Sequence, residues 1–154
     1  MLYLVERKKV VIVGIPGVGK TSLVTRIVEL INAEKHCASV HSYGTVMMGE
    51  AEGNQVSDRD NLRHLPVSQQ KDLQKQAATK ISELTDDVVF IDTHAFISTD
   101  EGFYPGLPYH VIQILEPTHL IAISARPEEI YNRRMKDGTR NRDKISIEAI
   151  KKEL

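Results

Sequence analysis

A glycine-rich loop between an apolar run and an amphipathic segment restricts the possible folds more than any other part of this sequence. Val10–Val13 is a continuous β-branched run, typical of a strand that is buried on both faces of a sheet. The next eight residues, Gly14–Thr21, match the pattern G-x-x-x-x-G-K-[ST] at every fixed position. Apolar residues at helical spacing follow, beginning at Leu23. A strand, a tight turn and a helix in this order predict a phosphate-binding loop, the P-loop, within an α/β fold.

The P-loop has the residue types that hold a triphosphate. Its glycines allow successive backbone N–H groups to point at phosphate oxygens, and the following helix adds the positive end of its dipole. Lys20 can reach the β- and γ-phosphates, and the Thr21 hydroxyl suits Mg²⁺. The candidate nucleotide-binding residues are Gly14, Ile15, Pro16, Gly17, Val18, Gly19, Lys20, Thr21 and Ser22.

Further strands and helices alternate along the rest of the chain. Strands are predicted weakly over Ala38–Ser42 and clearly over Val88–Ile91 and Leu120–Ile123, with helices over Ser68–Leu84 and from about Pro127. This alternation predicts a single α/β domain over residues 1–154, with a parallel sheet covered by helices on both faces. Ligands of such sheets bind beyond the carboxyl ends of the strands.

The segments between these elements are predicted as follows. Polar helical pieces occupy Thr45–Leu65, Gly102–Pro108 is a glycine- and proline-rich loop before a short helix, and Asp137–Asp143 is a second loop. The tail from Ser146 is helical.

Composition excludes several classes of partner. The 154 residues are 41% hydrophobic and 27% charged with a net charge of −1, so no global field attracts nucleic acid or a membrane surface. No apolar stretch approaches the ~20 residues of a membrane-spanning helix. The single cysteine, Cys37, suits a reducing compartment, and a cytoplasmic protein is expected. His36 and His41 lie near Cys37, but a fourth ligand at metal spacing is missing, so no zinc is expected.

Asp92 ends the third predicted strand and is a candidate Mg²⁺ ligand, directly or through water, although a plain helix- or turn-capping role remains an alternative. Thr93 follows where many ATP-hydrolysing motors carry glutamate, and no Asn-Lys-x-Asp motif for guanine is present. Transfer to an organic acceptor is therefore favoured over hydrolysis. His94 is a further site candidate.

Five of the nine arginines lie between Arg126 and Arg142. Arginine suits planar, bidentate phosphate contacts. For Arg126 and Arg133, a solvated helix surface explains the charges as well as phosphate binding does. Arg140 and Arg142 lie in a predicted loop, which favours a functional role for them. Arg59 and Arg63 form a second candidate phosphate site, for which a surface salt-bridge cluster is the alternative. These two arginine-containing segments, about 136–144 and about 44–66, are expected to flank a cleft.

Several strings together resemble archaeal-type adenylate kinase, within the P-loop nucleoside monophosphate kinases. They are GIPGVGKT at Gly14–Thr21, YGTVM at Tyr43–Met47, DRDNLRHLP at Asp58–Pro66, IDTH at Ile91–His94, GFYPGLP at Gly102–Pro108 and TRNRD at Thr139–Asp143. The resemblance implies reversible transfer of the γ-phosphoryl group of Mg·ATP to AMP. It also implies a five-stranded parallel sheet, a short lid over about 136–144 without a zinc insert, and a trimer.

Carried over by position, the resemblance also implies residue roles. Gly44, Thr45 and Arg63, with Arg59 and His94, would lie on the AMP side. Arg134, Arg140 and Arg142 would close over the transferring group, with Lys20 and Asp92 completing the catalytic set. The family continues past the helix at Ile147–Leu154 into a fifth strand and a last helix, so a chain truncated at its C-terminus relative to the family is expected.

Two alternatives to adenylate kinase remain. One is a P-loop kinase for another nucleoside monophosphate or small acceptor. The other is a nucleotide-binding assembly or regulatory protein without turnover.

Overall fold

The computed structural model describes residues 6–51, 65–99, 102–136 and 146–154. In chain order, its elements are β1 (Lys8–Val13), α1 (Lys20–Ala33), β2 (Ala38–Ser42), α2 (Tyr43–Ala51), α3 (Val67–Ser82), β3 (Val88–Thr93), β4 (Phe96–Thr99), β5 (Gly102–Pro105), α4 (Tyr109–Leu115), β6 (His119–Ala122), α5 (Pro127–Lys136) and α6 (Ile147–Glu153). The predicted helical pieces between 52 and 64 and the predicted loop Asp137–Asp143 lie outside the described residues.

Four strands form one parallel sheet in the order β2-β3-β1-β6. These strands correspond to the four strands predicted from the sequence, and the predicted parallel α/β fold is confirmed. β2 has the predicted bounds. The bounds of β1, β3 and β6 differ from the predicted bounds by one or two residues at one end or both. The carboxyl ends of β1, β2 and β3 lie side by side, because Ile12 and Ser42 are both in register with Asp92.

Helices pack on both faces of this sheet. Val10 and Ile12 of β1 point to one face, where they form a buried cluster with Val24 of α1 and Phe90 of β3. Val11 and Val13 point to the other face, where buried side chains of α2, α3 and α4 cover them. The alternation along β1 therefore supplies both layers of the core, as expected of a strand with no solvent face.

The structure differs from the sequence-based prediction at the segment Gly102–Pro108. Its first four residues form β5, which pairs antiparallel with β4 in a separate two-stranded sheet. Pro105 closes this pairing opposite Phe96, at the outer end of a short ladder where a missing N–H group is tolerated. The prediction of a loop over the whole segment was therefore wrong.

The structure also differs from the prediction at β6. Leu120 and Ile121 are 64% and 44% exposed on β6, one of the two edge strands of the sheet, whereas the apolar run had indicated burial. At β2 the strand ends at Ser42, as predicted, and Tyr43 begins α2. Its buried hydroxyl donates a hydrogen bond to the Gln74 carbonyl at 2.6 Å, which fixes α2 against α3.

No helix in the described part of the chain has the length and apolar character needed to cross a membrane.

Candidate functional site

The P-loop connects the end of β1 to the start of α1 through a backbone that only glycine adopts easily. Gly17 and Gly19 have φ values of 91° and 97°, in the left-handed region. Gly14 has a different requirement, since a Cβ atom there would lie 2.6 Å from the Ile123 carbonyl oxygen. Gly17 and Gly19 are thus needed for the backbone conformation of the loop, and Gly14 is needed for close packing against the segment after β6.

The first turn of α1 opens onto the P-loop. Gly19 is its N-cap residue and has no side chain to occupy the first N–H groups of the helix. Thr21 and Ser22 follow in that turn and are exposed. Unoccupied N–H groups at a helix N-terminus, with the positive end of the dipole, form an anion-binding arrangement.

Lys20 lies at the centre of the site. Its side chain is buried, and its Nζ donates a hydrogen bond to the Gly14 carbonyl at 2.6 Å. Asp92 Oδ1 lies 3.7 Å from the same Nζ. Burial lowers the pKa of Lys20, and the Asp92 carboxylate acts in the opposite direction. The lysine therefore brings a poorly hydrated positive charge to the P-loop.

His94 contacts the same carbonyl as Lys20. Its Nδ1 lies 3.0 Å from the Gly14 oxygen, so an Nδ1-protonated ring donates a hydrogen bond there, and 3.4 Å from Lys20 Nζ. The parallel pairing of β1 with β3 explains this proximity, because the carboxyl ends of the two strands lie side by side. The structure thus brings Lys20 together with Asp92 and His94, which lie more than 70 residues later in the sequence.

Gly106 holds the backbone of His94 in place. Its N–H donates to the Ala95 carbonyl at 2.9 Å, and a Cβ atom at this position would collide with the His94 carbonyl oxygen. The glycine after the β4–β5 sheet is therefore required for the close approach of this segment to His94.

The donor groups at the site fit Mg²⁺. The Thr21 hydroxyl, in the first turn of α1, and the Asp92 carboxylate, near the end of β3, are oxygen donors of the kind that hold Mg²⁺, which typically binds one or two such groups together with phosphate and water. Across the described ranges, no group of three or more His, Cys, Asp and Glu residues is arranged to hold a metal ion by itself.

The candidate acceptor side is described in part. Gly44 and Thr45 lie in the first turn of α2, directly after β2, at the same sheet edge as Asp92. Arg59 and Arg63 lie outside the described residues, so their position relative to this edge stays a prediction.

The arginines of α5 have contacts that the sequence did not predict. Arg133 and Arg134 donate hydrogen bonds to P-loop carbonyls, and Arg134 also forms an ion pair with Glu153 of α6. Arg126 is exposed, while Arg140 and Arg142 lie outside the described residues. Glu153 was not a candidate because nothing in the local sequence indicates that α6 packs beside the P-loop.

Comparisons with known proteins extend this description. The sequence model of the AAA domain family matches residues 13–151. The adenylate kinase of Methanocaldococcus jannaschii is 42% identical over 147 residues, which cover 94% of this chain and 77% of that protein. The adenylate kinase of Sulfurisphaera tokodaii is 39% identical, with 91% and 75% covered. The crystal structure of shikimate kinase from Bacteroides thetaiotaomicron superposes with a TM-score of 0.61 at 12% identity, over 96% of this chain and 77% of that one, and shows the shared fold.

Proposed function

The chain belongs to the adenylate kinase family, and we propose how its residues divide the work of the family reaction. The reaction is the reversible transfer of the ATP γ-phosphoryl group to AMP, giving two ADP. Catalysis of phosphoryl transfer rests mainly on positioning and charge neutralisation, since no covalent bond to the protein is needed. The meeting of Lys20, Asp92 and His94 at the mouth of the P-loop is the observation that supports this assignment most directly.

On the donor side, the P-loop and the first turn of α1 would bind the ATP phosphates. Lys20 now donates to the Gly14 carbonyl, and on binding it would exchange this contact for oxygens of the β- and γ-phosphates. Thr21 and Asp92 would hold Mg²⁺, which neutralises charge on the phosphates when bound. Burial of Lys20 strengthens its attraction to these oxygens, because water screens it less.

On the acceptor side, Gly44, Thr45, Arg59, Arg63 and His94 would bind AMP. The first two lie at the amino end of α2, where backbone N–H groups favour an anion. His94 lies between this end and the P-loop in the order of the strands, so its ring would line the region where the two phosphates meet. Arg140 and Arg142 would close over the transferring group from the segment after α5.

The enzyme is also proposed to be cytoplasmic and to assemble as a trimer. The reducing environment suits the single cysteine, and the trimer is what the family resemblance implies. Analytical ultracentrifugation should give three times the mass of one chain, and a monomer or dimer would contradict the proposed assembly.

The proposed reaction is tested by measuring ADP from ATP with each nucleoside monophosphate in turn. AMP should be the best acceptor, and EDTA should abolish turnover until excess Mg²⁺ is restored. A preference for another nucleoside monophosphate would favour a P-loop kinase with a different acceptor. Tight ATP binding without AMP-dependent formation of ADP would favour a nucleotide-binding protein without turnover. Undiminished activity in EDTA would remove Thr21 and Asp92 from their proposed role.

A further inference from the structure

Two neighbouring arginines of α5 hold carbonyl groups of the P-loop. Arg134 Nε donates to the Pro16 carbonyl at 2.8 Å, and Arg133 Nη1 donates to the Val18 carbonyl at 2.8 Å. The same Arg133 nitrogen lies 3.4 Å from the Gly17 oxygen. Three successive carbonyls of the loop are thus within reach of guanidinium groups.

Arg134 is itself held by the C-terminal helix. Its Nη2 lies 2.7 Å from Glu153 Oε2, and its Nη1 lies 3.3 Å from Glu153 Oε1, which makes the ion pair bidentate. The Arg134 side chain is 5% exposed and that of Glu153 is 28% exposed. The pair is therefore screened less by water than an ordinary surface ion pair, and its planar geometry fixes the direction of the remaining Nε donor.

Apolar packing supports this connection. Val18 of the P-loop forms a buried cluster with Ile130 of α5 and Ile150 of α6, and Ile15 packs against it. The aliphatic part of Arg134 lies against Gly17, where an added Cβ atom would be 3.0 Å from Arg134 Cγ. The loop therefore contacts α5 from Pro16 to Val18.

A held carbonyl also fixes the following N–H group. The peptide unit is planar and trans, so the N–H of the next residue points opposite to the carbonyl. Fixing the Pro16 and Val18 carbonyls therefore fixes the directions of the Gly17 and Gly19 N–H groups. A guanidinium on the carbonyl oxygen also polarises the peptide, which makes its N–H a stronger donor.

We propose that Arg134 and Glu153 are positioning residues for ATP, which act through the P-loop backbone, and that Arg133 assists them. This proposal rests on the proposed function, and it assigns Arg134 a place behind the loop instead of contact with the transferring phosphoryl group. The ATP site then extends through Glu153 to α6.

The test compares Arg134→Lys and Glu153→Gln with the wild type by calorimetric titration of Mg·ATP and, separately, of AMP. Lysine keeps the charge but not the planar fork, so it cannot hold Pro16 and Glu153 together. The ATP Kd should rise by about tenfold or more in Arg134→Lys, as expected for loss of hydrogen bonds to a charged group, with the AMP Kd unchanged. Glu153→Gln should raise the ATP Kd in the same direction but less.

Glu148→Gln is the matched control. It removes the exposed Glu148–Lys151 ion pair from the same helix without touching the contacts to the P-loop, and it should leave both Kd values unchanged. Each titration is made well below the melting temperature of its variant, so that a loss of folded protein is not read as a loss of affinity. Amide ¹H–¹⁵N resonances of Gly17 and Gly19 should shift in the two test variants and not in the control.

The outcomes separate this proposal from the proposed function. An unchanged ATP Kd in both variants, even with lowered melting temperatures, would show that the ion pair only stabilises the fold. A loss of ATP and AMP affinity in equal measure would also overturn the proposal. If Arg134→Lys does not fold, Glu153→Gln decides alone. A wild-type protein that binds ATP but forms no ADP would refute the proposed function while leaving the positioning test intact.

Discussion

Lys20 combines a functional charge with an unfavourable environment for it. Burial lowers the pKa of this lysine more than the nearby Asp92 raises it, so the charged form is less favourable in the folded protein than in water. Lys20→Met keeps the aliphatic stem and removes the charge. We expect kcat to fall by about 10²–10³-fold or more, as when a preorganised donor to a developing negative charge is removed.

The same substitution should leave the melting temperature equal to that of the wild type or above it. Removing a poorly solvated charge relieves a cost that function imposes on the fold, and the Asp92 side chain, which is 19% exposed, is solvated by water once the lysine is gone. Steady-state kinetics and a thermal melt of the ligand-free protein measure the two effects. Near wild-type turnover would refute the assignment of the P-loop, and a large loss of stability would show that Lys20 is chiefly a structural residue.

Arg142 is expected to act in the transition state and not in holding ATP. It belongs to a predicted loop segment, so it can approach the transferring group once both substrates are bound. Arginines in that role contribute roughly 10³–10⁵ in rate, and two arginines that share the role show less each. Arg142→Ala should lower kcat strongly with little change in the ATP Kd, and Arg142→Lys should restore only part of the rate. A weakened ATP Kd with kcat intact would instead make it a ground-state contact.

At the scale of elements, two glycines are expected to respond in opposite ways to the same substitution. A Cβ atom at Gly106 would collide with the His94 carbonyl oxygen, whereas a Cβ atom at Gly49 in α2 would meet no neighbouring atom of the described residues within 4 Å. Gly106→Ala should lower the free energy of unfolding by about 1–3 kcal/mol, as overpacking does, and reduce turnover by displacing His94. Gly49→Ala should raise the free energy of unfolding by ~0.5–1 kcal/mol, because alanine is favoured in helices.

Denaturant unfolding and ADP formation test this pair of variants together. Because the added group is one methyl in both proteins, the difference reports the surroundings of each glycine. If Gly106→Ala were as stable and active as Gly49→Ala, the contact with His94 would not constrain the site.

Elements with strong local patterns could be predicted from the sequence, and those that depend on distant partners could not. The β-branched run before the P-loop and the stripe of α3 carry their own periodicity, so β1 and α3 were predicted within one or two residues. The antiparallel pairing of β4 with β5 was missed because glycine and proline usually indicate a loop, and only the partner strand turns Gly102–Pro105 into a strand.

The same limit applies to the candidate site. The P-loop residues are contiguous, so a local motif identifies them, and Asp92 could be proposed because it ends a recognisable strand. The contacts of Arg134 depend on α6, which approaches the P-loop only in the folded chain. The chemistry of its side chain had predicted that Arg134 acts on phosphate. Arginine is suited equally to carboxylate, and in the structure Arg134 pairs with the Glu153 carboxylate.

At the scale of the whole molecule, one sheet connects the two proposed substrate sides. The P-loop follows β1, the candidate acceptor residues Gly44 and Thr45 follow β2, and β3 lies between these strands and pairs with both. The two faces of the sheet share their strands, so the layers of the core are expected to unfold in a single cooperative transition. A ligand bound at either side should therefore stabilise the same folded unit.

This linkage predicts the thermal shift that each substrate produces. A ligand at 100 times its Kd adds about 2.7 kcal/mol to the free energy of unfolding, and each kcal/mol raises the melting temperature of a domain this size by about 2–4 °C. Mg·ATP alone and AMP alone should each raise the single transition, without turnover because the second substrate is absent. In Lys20→Met the shift with Mg·ATP should shrink or vanish while the shift with AMP persists, since the charge removed lies on the donor side only. Differential scanning calorimetry measures both shifts. Two separate transitions would contradict a donor side and an acceptor side joined by one cooperative sheet. An equal loss of the AMP shift in Lys20→Met would contradict the placement of Lys20 on the donor side only.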